Sequence, residues 1–133
     1  CEVPDLFVLD PAQTLRLLVH DPALAERLLA MPETPERAAL RLKGQITLAR
    51  VAWNPYLYDP KLSQRLHRVR APTQILWGAE DRLFPLALAD AWRAGIVDAR
   101  LTVFPDCGHL APLEQPERCA EAISRFVREC AAQ

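Results

Sequence analysis

This chain of 133 residues lacks an excess of either charge, a long apolar run and a signal sequence. Lys and Arg total 16 against 17 for Asp and Glu, so no basic surplus is available to hold a phosphate backbone, and we expect no nucleic acid partner. No apolar run approaches the roughly 20 residues needed to cross a bilayer, and Cys1 to Pro4 show no signal pattern. We therefore expect a globular, cytoplasmic protein that does not bind membranes. Because the chain begins with Cys and not Met, we expect its native start to lie upstream.

Closely paired cysteines are also missing. The four cysteines, at positions 1, 107, 119 and 130, form no C-x-x-C pair and have no metal-ligand spacing with the three histidines. Cys119 and Cys130 fall on one predicted helix, about 16 Å apart at roughly 1.5 Å per residue, which is too far for a disulfide. We expect reduced cysteines, no metal and no organic cofactor.

Four helices are predicted in the first half, because Asp or Thr followed by Pro places a side-chain acceptor at the helix N-cap and Pro at the first helical position. These steps are Asp10-Pro11, Asp21-Pro22, Thr34-Pro35 and Asp59-Pro60. The longest helix is predicted from about Pro35 to Trp53, ended by Asn54-Pro55. Its apolar residues recur at the three- and four-residue spacing of a helix, namely Ala39, Leu42, Ile46, Ala49 and Trp53.

The second half changes to a strand–helix–strand pattern. Strands are predicted at Thr73–Trp77 and Leu101–Phe104, with a helix from Leu86 to Ala94 between them. A last amphipathic helix begins at Pro116 and should pack against the sheet. A crossover of this kind makes the two strands parallel, but a parallel sheet needs more than two strands and cover on both faces. We therefore predict an α/β fold whose sheet is incomplete in this chain, with residues 1–70 and 71–133 as its two parts and the missing strands before Cys1.

One acid and one histidine follow the two predicted strands. Open α/β sheets place their sites at the carboxyl ends of strands, and Asp81 and His109 stand in the two loops there. Neighbouring parallel strands are about 4.8 Å apart, so the two loops can bring carboxylate and imidazole into contact. Taken singly, Asp81 is equally well a solvated turn residue, and His109 is more often an ordinary loop residue. Their joint placement, acid before histidine, favours a catalytic pair.

Both loops resemble segments of the α/β-hydrolase superfamily. Gly78, Asp81 and Pro85 match the G-x-x-D-x-x-x-P pattern of its acid-bearing segment, and Gly108 to Pro116 match its G-H-x-x-x-x-E-x-P histidine segment. The combination of Trp-Gly, Asp-Arg and Cys-Gly-His is similar to carbon–carbon bond hydrolases, although Leu110 stands where those enzymes often have Trp. We therefore keep the general assignment, which includes the serine-dependent esterases.

This resemblance implies a fold and a set of roles. Residues 1–70 would form a helical lid over the site, and residues 71–133 the carboxyl-terminal part of the hydrolase core. Asp81 would orient His109, which would act as general base toward a serine and then as general acid toward the leaving group. Leu83 and Leu110 flank the pair and are the stronger candidates to line a pocket for a small, largely apolar substrate such as an ester. Trp53 in the lid is a further candidate, although simple helix packing explains such a residue more readily.

The chain contains no candidate for the serine itself. Its serines, Ser63 and Ser124, lie outside any G-x-S-x-G elbow, and four glycines in all permit none. We expect the nucleophile upstream and the chain alone to be inactive, with self-association possible through its uncovered sheet edge. Cys107 is a weaker nucleophile candidate, since a cysteine two positions from a histidine in one loop seldom meets it in hydrogen-bonding geometry.

Several alternatives share the acid and the histidine. Dehalogenases and epoxide hydrolases of this superfamily differ from esterases in having Asp as the nucleophile, whereas cofactor-free haloperoxidases use Ser. Some members have become non-catalytic receptors for small molecules. Retention of both Asp81 and His109 favours chemistry, because a receptor needs no pair for proton transfer.

Overall fold

The computed structural model describes residues 4–132. The first half forms three helices, α1 (Pro11–Leu18), α2 (Pro22–Leu29) and α3 (Pro35–Ala52). Each begins after a side chain that accepts a hydrogen bond from a backbone N–H of the first turn, Asp10 from Gln13, Asp21 from Ala23 and Thr34 from Arg37. Three of the four predicted helix starts are therefore confirmed. They could be predicted because a cap acts locally and depends little on the rest of the chain.

The fourth predicted start is wrong. Asp59 does accept a hydrogen bond, from the Lys61 backbone N–H at 2.8 Å, but the chain then makes turns and forms only a short 3-10 helix, Ser63–Arg68. The Ser63 end of this helix has no side-chain cap. An Asp-Pro step thus started a turn and not an α-helix, since the same side-chain acceptor serves both structures.

The apolar residues whose spacing predicted α3 are mostly exposed. Leu42, Ile46 and Trp53 remain 57%, 45% and 64% exposed. The helix turns a different side, which includes Leu48, toward α1 and α2, and Ala52 is its buried residue. Helical periodicity identified the helix, but α3 carries apolar residues on more than one side, and spacing alone does not say which side meets a neighbour.

The second half contains the sheet. Strands β1 (Thr73–Gly78) and β2 (Ala99–Phe104) are parallel, as predicted, with Thr73 opposite Ala99 and Gly78 opposite Phe104. The crossover helix α4 (Leu86–Gly95) packs on both strands, and α5 (Ala111–Glu114) and α6 (Pro116–Ala131) contact β1. The core joins β2, its loop and α6 through Phe104, Cys107, Ala111, Cys119 and Ala122. Within residues 4–132, no helix combines the length and apolarity needed to cross a bilayer.

The end of β1 passes very close to the loop that follows β2. A Cβ atom added at Gly78 would collide with the carbonyl oxygens of Gly108 and Cys107. These are backbone atoms and have no rotamer in which to move aside. Glycine at position 78 therefore allows the two loops that carry Asp81 and His109 to lie against each other.

This close approach predicts opposite effects of the same substitution at two glycines. Gly78→Ala should lower the free energy of unfolding by about 1–3 kcal/mol, because its methyl group overfills a packed site. Gly44→Ala, in the interior of α3 with no atom within 4 Å of the added Cβ, should raise it by about 0.5–1 kcal/mol through helix propensity. Urea denaturation measures both. A Gly78→Ala variant as stable as the parent would contradict the contact.

The two-stranded sheet predicts self-association of the chain. Among the described residues β1 and β2 pair only with each other, so each has a second edge without a strand partner. Large apolar side chains such as Leu40 and Val127 are also 68% and 58% exposed. Residues 1–133 on their own should elute as oligomers and bind a hydrophobic dye. A monodisperse monomer that binds no dye would contradict this expectation.

Candidate active site

Asp81 is a buried carboxylate in the loop that follows β1. Two hydrogen bonds of 2.9 Å hold this loop, one from the Ala79 N–H to the Phe104 carbonyl at the end of β2 and one from the Glu80 N–H to the Cys107 carbonyl in the loop that follows β2. The Asp81 Oδ1 atom accepts hydrogen bonds from the backbone N–H groups of Leu83 and Phe84, each at 2.9 Å. Because only 4% of the side chain is exposed, these bonds replace the water that the oxygen has lost.

His109 contacts the other oxygen of this carboxylate. Its Nδ1 atom lies 2.9 Å from Asp81 Oδ2, so the structure brings the two predicted residues into hydrogen-bonding contact. The imidazole makes a T-shaped contact with the Phe84 ring, with ring centroids 5.5 Å apart. Phe84 is in turn fixed by its carbonyl, which accepts a hydrogen bond of 3.2 Å from the Trp77 indole N–H. The ring is therefore held on two sides.

This arrangement determines what the imidazole can do. A carboxylate only accepts hydrogen bonds, so the contact with Asp81 favours the tautomer in which His109 Nδ1 carries the proton. The other nitrogen, Nε2, is then an acceptor, and about one third of the His109 side chain (33%) remains exposed. An imidazole so oriented and partly accessible has the geometry of a general base.

The loop of His109 is also held by the first half of the chain. The carbonyl of Leu18, at the end of α1, accepts hydrogen bonds from the backbone N–H groups of His109 at 2.8 Å and Leu110 at 3.2 Å. The carboxylate of Glu114 bonds the N–H of Gly108 and that of His20. Sequence reasoning assigned nothing to Leu18 or Glu114. Glu114 was available as a signal, since it is the acidic residue of the histidine-bearing motif.

The three predicted pocket residues lie in different surroundings. Leu83 is buried, with 4% exposed, and Leu110 is half-buried beside His109. Trp53 is largely exposed and packs edge-on against Phe7, with ring centroids 5.1 Å apart. None of these three residues lines the groove described next.

A large groove lies among the first three helices. Its volume is about 610 Å³, and its walls include Leu15 and Leu18 of α1, Leu28 of α2 and Leu48 of α3. Leu18 connects this groove to the candidate site, because its carbonyl holds the His109 loop. Seven of the fifteen lining residues are leucine, and Arg37 and Arg41 are among the polar ones.

Cys107 is not placed for nucleophilic chemistry. Its side chain is completely buried in the core, and its Sγ atom lies 3.7 Å from the Gly108 carbonyl oxygen. Burial, with a smaller contribution from the negative charge of Glu114, raises the pKa of the thiol to about 11. The reactive thiolate is therefore scarce at neutral pH.

The remaining candidate groups are dispersed. Ser63 begins the 3-10 helix and Ser124 lies in α6, and within residues 4–132 no hydrogen bond joins either serine to His109. In the same range no three His, Cys, Asp or Glu side chains are close enough together to hold a metal ion.

Known proteins match both the sequence and the fold. The model of the alpha/beta hydrolase family matches residues 3–122. The pimeloyl-acyl-carrier protein methyl ester esterase of Aromatoleum aromaticum is 39% identical over 93% of this chain and 50% of its own length. A 2-hydroxy-6-oxononadienedioate/2-hydroxy-6-oxononatrienedioate hydrolase of Pseudomonas putida is 40% identical over 59% of the chain and 27% of its own length. The chain thus spans about half the length, or less, of these curated relatives.

Two solved structures bear on the fold. An esterase from Thermogutta terrifontis is 36% identical, with a TM-score of 0.50 over 53% of this chain and 26% of that one. A serine hydrolase involved in carbazole degradation is similar in fold alone, at 22% identity, with a TM-score of 0.64 over 96% of this chain and 51% of that one. The family match covers most of the sequence, and the parallel strands with their crossover helix agree with it. The chain belongs to the α/β-hydrolase family.

Proposed function

We propose that Asp81 and His109 are the acid and the histidine of a Ser-Asp-His triad in an esterase, with the serine supplied by residues outside positions 1–133. The observation that carries this proposal is the 2.9 Å contact between the buried Asp81 carboxylate and His109 Nδ1, at the carboxyl ends of two parallel strands. The esterase relative, similar along 93% of the chain, supports the choice of reaction.

The geometry suggests how the pair would act. His109 Nε2 takes the proton of the serine hydroxyl while the serine oxygen attacks the ester carbonyl. His109 then gives that proton to the departing alcohol, which leaves an acyl-enzyme, and a water molecule activated by the same nitrogen releases the acid. Asp81 keeps Nδ1 protonated and stabilises the positive charge that develops on the ring. The oxyanion hole would also come from outside the chain.

The substrate that fits this proposal is a carboxylic ester with a largely apolar acid part. The leucine-rich groove beside α1 suits such a chain, and Leu83 and Leu110 flank the reacting pair. We extend the proposal to residues 1–70 as a lid over the site and to a cytoplasmic location, which suits the free cysteines at 107, 119 and 130. A carbon–carbon bond hydrolase is the second candidate, favoured by the 40% identical relative from Pseudomonas putida.

Replacement of either residue of the pair should abolish most activity. In a protein that contains this chain and the proposed serine segment, His109→Ala should lower kcat for a short activated ester by about 10⁴-fold or more, because serine is a weak nucleophile without its base. Asp81→Asn should cost about 10⁴-fold through the wrong tautomer of His109, with little change in KM.

Matched controls separate lost chemistry from a lost fold. His67→Ala and Asp90→Asn replace the same residue types at exposed positions away from the pair and should leave kcat unchanged. Circular dichroism would confirm that every variant is folded. Esterase activity retained by a folded His109→Ala variant would overturn the proposed function.

Cys107 should be dispensable for turnover. Because its pKa is raised to about 11, the thiol stays protonated below that pH, and iodoacetamide should label the half-buried Cys130 before Cys107 at pH 8–9. Cys107→Ala should keep kcat within about twofold of the parent at temperatures well below unfolding. The triad assignment is wrong if this variant loses turnover while His109→Ala keeps it.

A further inference from the structure

Glu114 joins two segments that are far apart in the sequence. It ends the short helix α5, and both of its carboxylate oxygens accept backbone hydrogen bonds. Its Oε1 atom accepts from the Gly108 N–H at 2.8 Å. Its Oε2 atom accepts from the His20 N–H at 2.6 Å, with a longer contact of 3.4 Å from the Asp21 N–H. One side chain thus fastens the turn between α1 and α2 to the residue that precedes His109.

The carboxylate has no cation as a partner. Among the described residues no ion pair includes Glu114, so its charge is satisfied by backbone N–H groups. The His20 and Asp21 N–H groups directly precede α2, where the helix dipole favours a negative charge. Hydrogen bonds to a charged acceptor are shorter and stronger than neutral ones. This arrangement fixes backbone position and is not a surface ion pair.

The surroundings of Gly108 leave the loop little freedom. A Cβ atom added there would lie 2.8 Å from the His20 nitrogen, 2.9 Å from the Leu18 oxygen and 3.0 Å from Glu114 Oε1. The next residue, His109, donates its own N–H to the same Leu18 oxygen. The backbone is therefore held before the His109 Cα atom, at the N–H groups of Gly108 and His109, and after it, at the N–H of Leu110, which the Leu18 carbonyl also accepts.

We propose that Glu114 is a positioning residue, which acts through the Gly108 backbone to hold the His109 imidazole against Asp81 and ties that position to the α1–α2 turn. This inference rests on the proposed function, in which His109 is the base. It assigns no contact with the substrate to Glu114. The first half of the chain then also helps to position His109. Its turn from Leu18 to Asp21 supplies the Leu18 carbonyl that binds the His109 N–H and the His20 N–H that binds Glu114.

Glu114→Gln tests the role with almost no change in shape. A carboxylate offers two acceptor oxygens, whereas an amide offers one oxygen and an NH₂ group that only donates. In either orientation of the amide, its NH₂ group faces the N–H of Gly108 or of His20, and two donors cannot form a hydrogen bond. One of the two segments is then released. Glu117→Gln is the matched control, since Glu117 is exposed and its side chain makes no hydrogen bond among the described residues.

Two readouts separate positioning from general stability. In the protein with its serine segment, Glu114→Gln should lower kcat for a short ester by about 10- to 100-fold with KM nearly unchanged, because a small displacement of the base slows chemistry more than binding. The downfield proton resonance of the His109 Nδ1–H, which reports its hydrogen bond to Asp81, should shift or broaden by exchange. Glu117→Gln should change neither. Both are measured well below the unfolding temperature of each variant.

The outcomes distinguish this inference from the proposed function. A folded Glu114→Gln variant with kcat within about twofold of the parent and an unshifted His109 resonance would overturn the positioning role. Absence of esterase activity in the parent would count against the proposed function alone, since the resonance needs no turnover. If Glu114→Gln does not fold, Glu114→Asp replaces it. The Asp side chain is one methylene shorter, so its carboxylate cannot reach both segments. The kcat and the His109 Nδ1–H resonance of this variant then test the positioning role.

Discussion

A buried carboxylate must have its hydrogen bonds satisfied within the protein, and the geometry of the candidate site follows from how Asp81 meets this requirement. One oxygen is used by two backbone N–H groups of its own loop, which fixes the loop after β1. The other oxygen is left for His109 Nδ1. If either group were removed, the other would remain as a polar group partly or wholly shielded from water. The contact therefore both stabilises the loops and orients the imidazole.

Two glycines allow the loops to come close enough for this contact, and hydrogen bonds from the first half of the chain stabilise it. Gly78 lets the loops of the two strands meet, and at Gly108 the histidine loop lies against the α1–α2 turn. The Leu18 carbonyl and the Glu114 carboxylate hold that loop from the other side. In consequence the position of His109 depends on residues from both halves of the chain. Leu18 both lines the groove and holds the His109 loop through its carbonyl.

Local signals in the sequence predicted much of this structure. The caps of α1, α2 and α3 and the parallel strands follow from residues within a few positions of one another or from a general rule of handedness. Local signals did not reveal features that depend on distant partners. Asp59 starts a turn, and α3 turns Leu48 and not Leu42 toward α1 and α2. Glu114 was overlooked because its partner His20 is 94 residues away, and no periodicity reveals such a contact.

In the proposed triad this chain supplies the base for a nucleophile located outside it. A fluorophosphonate probe tests the claim directly, because it forms a stable bond with a serine only when a neighbouring base activates that serine. After reaction with a protein that contains this chain and the proposed serine segment, mass spectrometry would locate the labelled residue. We expect a label on a serine outside residues 1–133, which disappears in the folded His109→Ala variant. A label on Ser63, Ser124 or Cys107, or one that persists without His109, would contradict it.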